Sequence, residues 1–97
     1  MKTITIEQLH EGRDVPLIDV RETDEYIGGR VPGAISLPMS QLNELLDKLP
    51  AGPFDVICAA GGRSARVVEA LEARGHDATN VEGGTNGWIQ AGYTVEQ

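Results

Sequence analysis

The 97-residue chain is long enough for one domain with a single hydrophobic core, taken here to span residues 1–97, and is marginal by surface-to-volume scaling. Fifteen acidic residues against eight basic ones give a formal charge of −7, which argues against a nucleic-acid partner, because phosphates would be repelled. One cysteine excludes an internal disulfide and fits a reducing compartment. No long apolar stretch follows Met1, so the sequence predicts no signal peptide, no membrane span and a cytoplasmic location.

Short apolar runs alternate with amphipathic stretches along the chain. Thr3 to Ile6 reads as a strand and Glu7 to Glu11 as a short helical turn. Pro16 to Val20 is a second strand, apolar enough for burial on both faces, as parallel strands are. Thr23 is a candidate cap for a helix running to about Gly28, since its hydroxyl can accept an orphan amide. Ala34 to Leu37 is a third strand, stopped by Pro38. Ser40 is the expected cap of a further helix, in which Leu42, Leu45, Leu46 and Leu49 share a face before Pro50. Phe54 to Ile57 is a fourth strand, and a helix after Ser64 carries Ala65, Val67, Val68, Ala70 and Leu71. Arg74-Gly75 suits its left-handed C-terminal cap. Thr79 to Val81 is a fifth strand, and Thr85 to Ala91 a last short helix with Trp88 and Ile89. Alternating β and α elements predict an α/β fold, a five-stranded parallel sheet flanked by helices. Ligands of such sheets bind beyond the carboxyl ends of the strands, where Cys58 and the Asp19-Val20-Arg21 segment both fall.

Cys58 sits between a buried strand and a loop of small residues, Ala59-Ala60-Gly61-Gly62-Arg63-Ser64, that opens a helix. Such a loop can turn its N–H groups inward, and the helix adds the positive end of its dipole. A thiol at that point ionises more readily than a free one, because the donors stabilise the anion. The plainer alternative is an inert buried thiol at a strand end. Gly61 and Gly62 allow backbone angles that a tight cradle needs, and the two alanines leave room for an added atom. Arg63 offers a planar five-donor fork that can brace loop carbonyls or meet anionic oxygens of a substrate; bracing is the favoured expectation.

Several segments carry a resemblance to a known family. Leu17-Ile18-Asp19-Val20-Arg21-Glu22 with Glu25-Tyr26 resembles a first signature of the single-domain rhodaneses, a sulfurtransferase family. Gly29-Arg30-Val31-Pro32-Gly33-Ala34 followed by Leu37-Pro38 resembles a second. Cys58-x-x-Gly61-x-Arg63-Ser64 is similar to the active-site loop, and Val81-Glu82-Gly83-Gly84 with Gly87-Trp88 and Ala91-Gly92 to the C-terminal signature. The resemblance implies that Cys58 takes a sulfane sulfur from a donor such as thiosulfate or a persulfide, and holds it as a persulfide on the loop Ala59 to Ser64. It then passes the sulfur to cyanide in vitro, or to a thiol or carrier protein. No metal and no organic cofactor are implied, since the sulfur is carried covalently on Cys58. The chain departs from the pattern in having Arg30 where the family usually has His. It also has Ala59 and Ala60 where many thiosulfate-using members carry a cation and a hydroxyl residue.

Asp19 and Arg21 are expected to pair and support the site rather than act in catalysis. His10 and His76 lack metal-ligand spacing and read as surface residues, and Trp88 as core or pocket rim. Gly84-x-x-Gly87 comes too late in the chain to serve a dinucleotide site. Two other functions compete. A cysteine-dependent phosphatase or arsenate reductase has five residues between Cys and Arg, against the four from Ala59 to Gly62, and no general acid is evident here. A non-catalytic binding module of the same fold is the other alternative, though the cysteine and its loop are both retained.

Overall fold

The computed structural model describes residues 1–97. Five parallel strands form one sheet in the order β1-β5-β4-β2-β3. They are β1 (Lys2–Ile4), β2 (Leu17–Asp19), β3 (Ile35–Ser36), β4 (Phe54–Ile57) and β5 (Ala78–Val81). The helices are α1 (Ile6–Glu11), α2 (Thr23–Ile27), α3 (Gly62–Ala73) and α4 (Gly84–Gln90). The α/β parallel sheet predicted from sequence is therefore present. From β2 the chain passes to β3 on one side, and from β4 to β5 on the other. A crevice thus opens between the carboxyl ends of β2 and β4, the usual ligand position in such sheets.

Side-chain alternation along the strands divides the core into two layers. Ile18, Val20, Phe54 and Val56 pack with Val67, Val68 and Leu71 of α3 on one face. Leu17 and Ile57 pack with Ile4, Ile6, Val81 and Trp88 on the other. Cys58 continues the Phe54–Val56 phase and joins the α3 layer at 1% exposure. The residue after the strand is thereby directed at the start of the helix that follows it.

Local chemistry moved several boundaries. Thr5 caps α1 in a reciprocal box with Gln8, so the helix begins at Ile6 and the first strand ends at Ile4. Glu22, not Thr23, is the cap residue of α2, whose first turn is closed by the Glu22 amide donating to Glu25 at 3.0 Å. The helix expected from Ser40 is instead a pair of 3-10 segments, Met39–Glu44 and Leu46–Lys48. Their leucines still pack on the α3 layer. A spacing of three between Leu42 and Leu45, and again between Leu46 and Leu49, serves a three-residue turn equally well. Ser40 does not cap it; the Ser40 hydroxyl donates to Glu22 at 2.5 Å.

Two buried carboxylates hold the middle strands. Asp55 lies inside β4 at 1% exposure and accepts a two-pronged pair from Arg13, at 2.9 and 2.8 Å. That bond raises the Arg13 pKa above its ordinary value, burial opposing it. Asp19, at 0% exposure, takes Arg21 Nη2 at 2.9 Å and the Arg21 amide at 3.0 Å. The same guanidinium donates to the Gly29 carbonyl at 2.8 Å, tying the end of β2 to the segment after α2. Removing one partner of a buried pair strands the other, at a cost of about 3–5 kcal/mol. Arg21→Ala should therefore lose about that much of a total that is typically about 5–15 kcal/mol. Urea unfolding at pH 7 measures it, and a loss below about 1 kcal/mol would mean the pair supports nothing.

Candidate active site

The site is built where β4 hands over to α3. The Cys58 sulfur accepts the Gly61 amide at 3.0 Å, and the Ser64 hydroxyl lies 3.3 Å away. Gly61 makes this possible with φ +105, a left-handed angle that side-chain-bearing residues avoid. Burial pushes the Cys58 thiol up, but the Ser64 hydroxyl and the amides of Ser64, Gly61 and Ala60 outweigh it, and its pKa lies below the ordinary thiol value. Ala59 is half-buried, while Ala60 and Gly62 are exposed. The loop is thus a shallow cradle, with the sulfur at its floor and small side chains at its rim. A separate cavity of about 310 Å³, lined by Leu9, Arg13, Leu17, Val31 and Trp88 among others, involves none of the loop residues.

The loop is fixed from outside by α4. The Thr85 and Asn86 amides donate to the Cys58 and Ala59 carbonyls at 2.8 and 2.9 Å. This requires Gly84, because a Cβ there would sit 2.5 Å from the Ala59 oxygen and 2.6 Å from the Cys58 oxygen. Behind the loop, Ser64 (0% exposed) bonds Asn80 Oδ1 of β5 at 2.5 Å.

Arg63 does not brace the loop carbonyls, the favoured expectation. Its hydrogen bonds run to the two carboxylate oxygens of Glu25, at 2.8 and 2.9 Å, and not to loop carbonyls. The pairing raises the Arg63 pKa, while the same bond holds the Glu25 carboxyl down at about 2. The loop's one cation is therefore already neutralised. Asp19 and Arg21 are ion-paired at the end of β2, bonded to each other and to backbone. Trp88 is buried, its indole donating to the Thr94 carbonyl at 2.8 Å. His10 is exposed and stacks on Tyr93, whereas His76 is half-buried edge-on to Phe54.

Three contributors were not identifiable as such from sequence. Glu25 reaches Arg63 across 38 positions, Asn80 looked like an ordinary strand residue, and Gly84 stood only in a glycine-rich signature. None has a local pattern that announces its partner.

A cysteine sulfur on an amide-lined strand-to-helix loop, at the carboxyl edge of a five-stranded parallel sheet, defines a class of anion-cradling cysteine site. The family model for the rhodanese-like domain matches residues 4–91, and the chain belongs to that family. It is 34% identical over 83 residues to the putative sulfurtransferase YtwF of Bacillus subtilis, covering 84% of this chain and 81% of that one. It is 30% identical over 91 residues to a sulfurtransferase of Allochromatium vinosum, covering 92% and 85%. Among solved structures, a rhodanese-related protein from Thermoplasma volcanium superposes with a TM-score of 0.93 at 38% identity, over 99% of this chain and 98% of that one. No helix is long and apolar enough to cross a membrane.

The Glu25–Arg63 pair carries a pH signature. The Glu25 pKa falls from 4.5 to about 2 on folding. A depressed carboxyl contributes stability that is present above about pH 4.5 and lost as pH falls toward 2. Both side chains are about a third exposed (37% and 34%), so screening leaves a contribution on the order of 1 kcal/mol. Glu25→Gln should be less stable than wild type by that amount at pH 7, and the gap should close between pH 4.5 and 2. Urea titrations across this range check it, and a gap independent of pH would assign the loss to something other than the carboxylate charge.

Proposed function

We propose that the protein is a sulfurtransferase in which Cys58 carries the transferred sulfur. The observation that bears most weight is the sulfur itself, held by the Gly61 amide at 3.0 Å in a loop that favours its anion. Membership of the rhodanese-like family and the two sulfurtransferase-named relatives support the same reading. In the first half-reaction the Cys58 thiolate attacks the sulfane sulfur of a donor. The new S–S bond forms as the donor's bond to that sulfur breaks, and the leaving group takes the electron pair, as sulfite from thiosulfate or as a thiolate from a persulfide. The loop amides receive the anionic persulfide as they received the thiolate. A thiophilic acceptor then attacks the outer sulfur, and Cys58 departs as a thiolate. No metal or organic cofactor enters this scheme. A reducing cytoplasm suits it, because the thiol must be regenerated free.

The donor we favour is a persulfide, small or protein-borne, rather than thiosulfate. Thiosulfate is a dianion approaching a chain of net charge −7, and Arg63 is already committed to Glu25. Ala59 and Ala60 add no charge at the rim. A shallow mouth whose one cation is paired suits a persulfidated partner better than a small dianion.

Incubation with thiosulfate, and separately with a cysteine desulfurase plus cysteine, should add the mass of one sulfur under non-reducing conditions, more completely from the second source. Cys58→Ser should lose that mass and thiocyanate formation from cyanide. Turnover by Cys58→Ser at the wild-type level would overturn the proposal.

Adding a cation should reveal what thiosulfate lacks. Ala59→Arg supplies a charge-assisted contact of about 1.5–3 kcal/mol if aligned, and less where exposed. About 1.4 kcal/mol is one decade of rate, so kcat/KM for thiosulfate should rise roughly tenfold, and the gain should shrink with salt. An unchanged KM for thiosulfate at low ionic strength would show that charge does not limit its use.

A further inference from the structure

Asn80 has no place in the scheme above, yet it touches the group that touches the sulfur. Cys58, Ser64 and Asn80 form a chain across the α3 face of the sheet, at 1%, 0% and 4% exposure. The Ser64 hydroxyl owns one proton. Three acceptors stand within reach of it: Cys58 Sγ at 3.3 Å, the Gly61 carbonyl at 3.2 Å and Asn80 Oδ1 at 2.5 Å. Only one can receive the proton at a time. The Asn80 contact is far the shortest, and two oxygens at 2.5 Å cannot sit together without a proton between them. The amide is held in that orientation from its other end, where Nδ2 faces the Gly61 carbonyl at 3.5 Å.

We propose that Asn80 is a positioning residue that competes with the Cys58 sulfur for the Ser64 proton. The amide draws the hydroxyl partly away, so the Ser64 bond to the sulfur is weakened but not lost, and the sulfur keeps more of its electron density for attack. A less stabilised thiolate is the stronger nucleophile, its rate constant following basicity with a coefficient of about 0.4–0.5. Asn80 thus trades thiolate population for reactivity. Charged groups bordering the chain are paired, Asp19 with Arg21 at the end of β2, Asp55 with Arg13 in β4, and Arg63 with Glu25 at the start of α3, while Arg66 and Glu69 of α3 are exposed and its Glu72 is half-buried. β5 and α4 carry no charged residue.

The proposal rests on Cys58 being the nucleophile, and its test reads the sulfur directly. Since Cys58 is the one thiol in the chain, the rate of iodoacetamide alkylation against pH gives both its ionisation midpoint and the limiting rate of the thiolate. The variants are Asn80→Leu, Asn80→Asp, Ser64→Ala and the two double variants, with circular dichroism to confirm folding. Asn80→Leu releases the hydroxyl to the sulfur. The thiolate fraction below the midpoint should rise about three- to tenfold, the worth of one neutral hydrogen bond. The limiting rate at high pH should fall about threefold for each tenfold gain in acidity. Asn80→Asp can only accept, so its midpoint should rise, and rise further with Ser64 present than in the Ser64→Ala background, where charge alone acts. A midpoint unchanged or raised in Asn80→Leu overturns the proposal, as does a shift of equal size with and without Ser64. If Asn80→Leu does not fold, the Ser64-dependent part of the Asn80→Asp shift decides alone. Absence of sulfur transfer by the wild type would remove the sulfurtransferase reading and leave this measurement standing.

Discussion

The site depends on one close approach, that of the Gly84 backbone to the carbonyls of Cys58 and Ala59. Those carbonyls are drawn outward by the Thr85 and Asn86 amides at the start of α4. A trans peptide places its N–H opposite its C=O. Turning the Ala59 carbonyl toward α4 therefore turns the Ala60 amide toward the sulfur, where it helps to lower the thiol pKa. The cradle is thus shaped from behind. Its donors face inward because their carbonyl partners are claimed by another element, and that element can come near enough only because it begins with a residue that has no Cβ.

Charge on the molecule follows a similar economy. Arg13 and Arg63 each pair with a carboxylate from a distant segment and Arg21 with Asp19 two residues before it, and two of those carboxylates are fully buried. The buried pairs fasten β4 and β2, the strands whose carboxyl ends border the crevice. The third pair spans the mouth, joining α2 to α3, and spends the loop's cation on structure. What remains beside the sulfur is a set of neutral amides, a polar but uncharged receptor for its thiolate.

The β4–loop–α3 unit was legible in the sequence because all of its determinants are contiguous. An apolar run ends at Ile57, small residues follow, and apolar spacing of a helix resumes at Ala65. The Leu42–Leu49 stretch misled because a leucine spacing of three fits both an α-helix and a 3-10 turn. The Thr5–Gln8 box set the start of α1 at Ile6, and at α2 the bond from the Glu22 amide to Glu25 prevailed over the simple preference for a hydroxyl at the cap.

By itself the sequence determined the alternation of strands and helices, the burial of β2 and β4, and the placement of a lone cysteine at a strand's carboxyl end before a glycine turn. Each follows from residues near in sequence, through periodicity and backbone freedom. Tertiary structure alone decided which residues complete the site: Glu25 on Arg63, Asn80 on Ser64, Gly84 beneath Ala59. These contacts join segments brought side by side by the strand order, and a single chain carries no local mark of its future neighbour. The type of chemistry was therefore written along β4 and its loop, while the partition of its protons and charges was settled by folding.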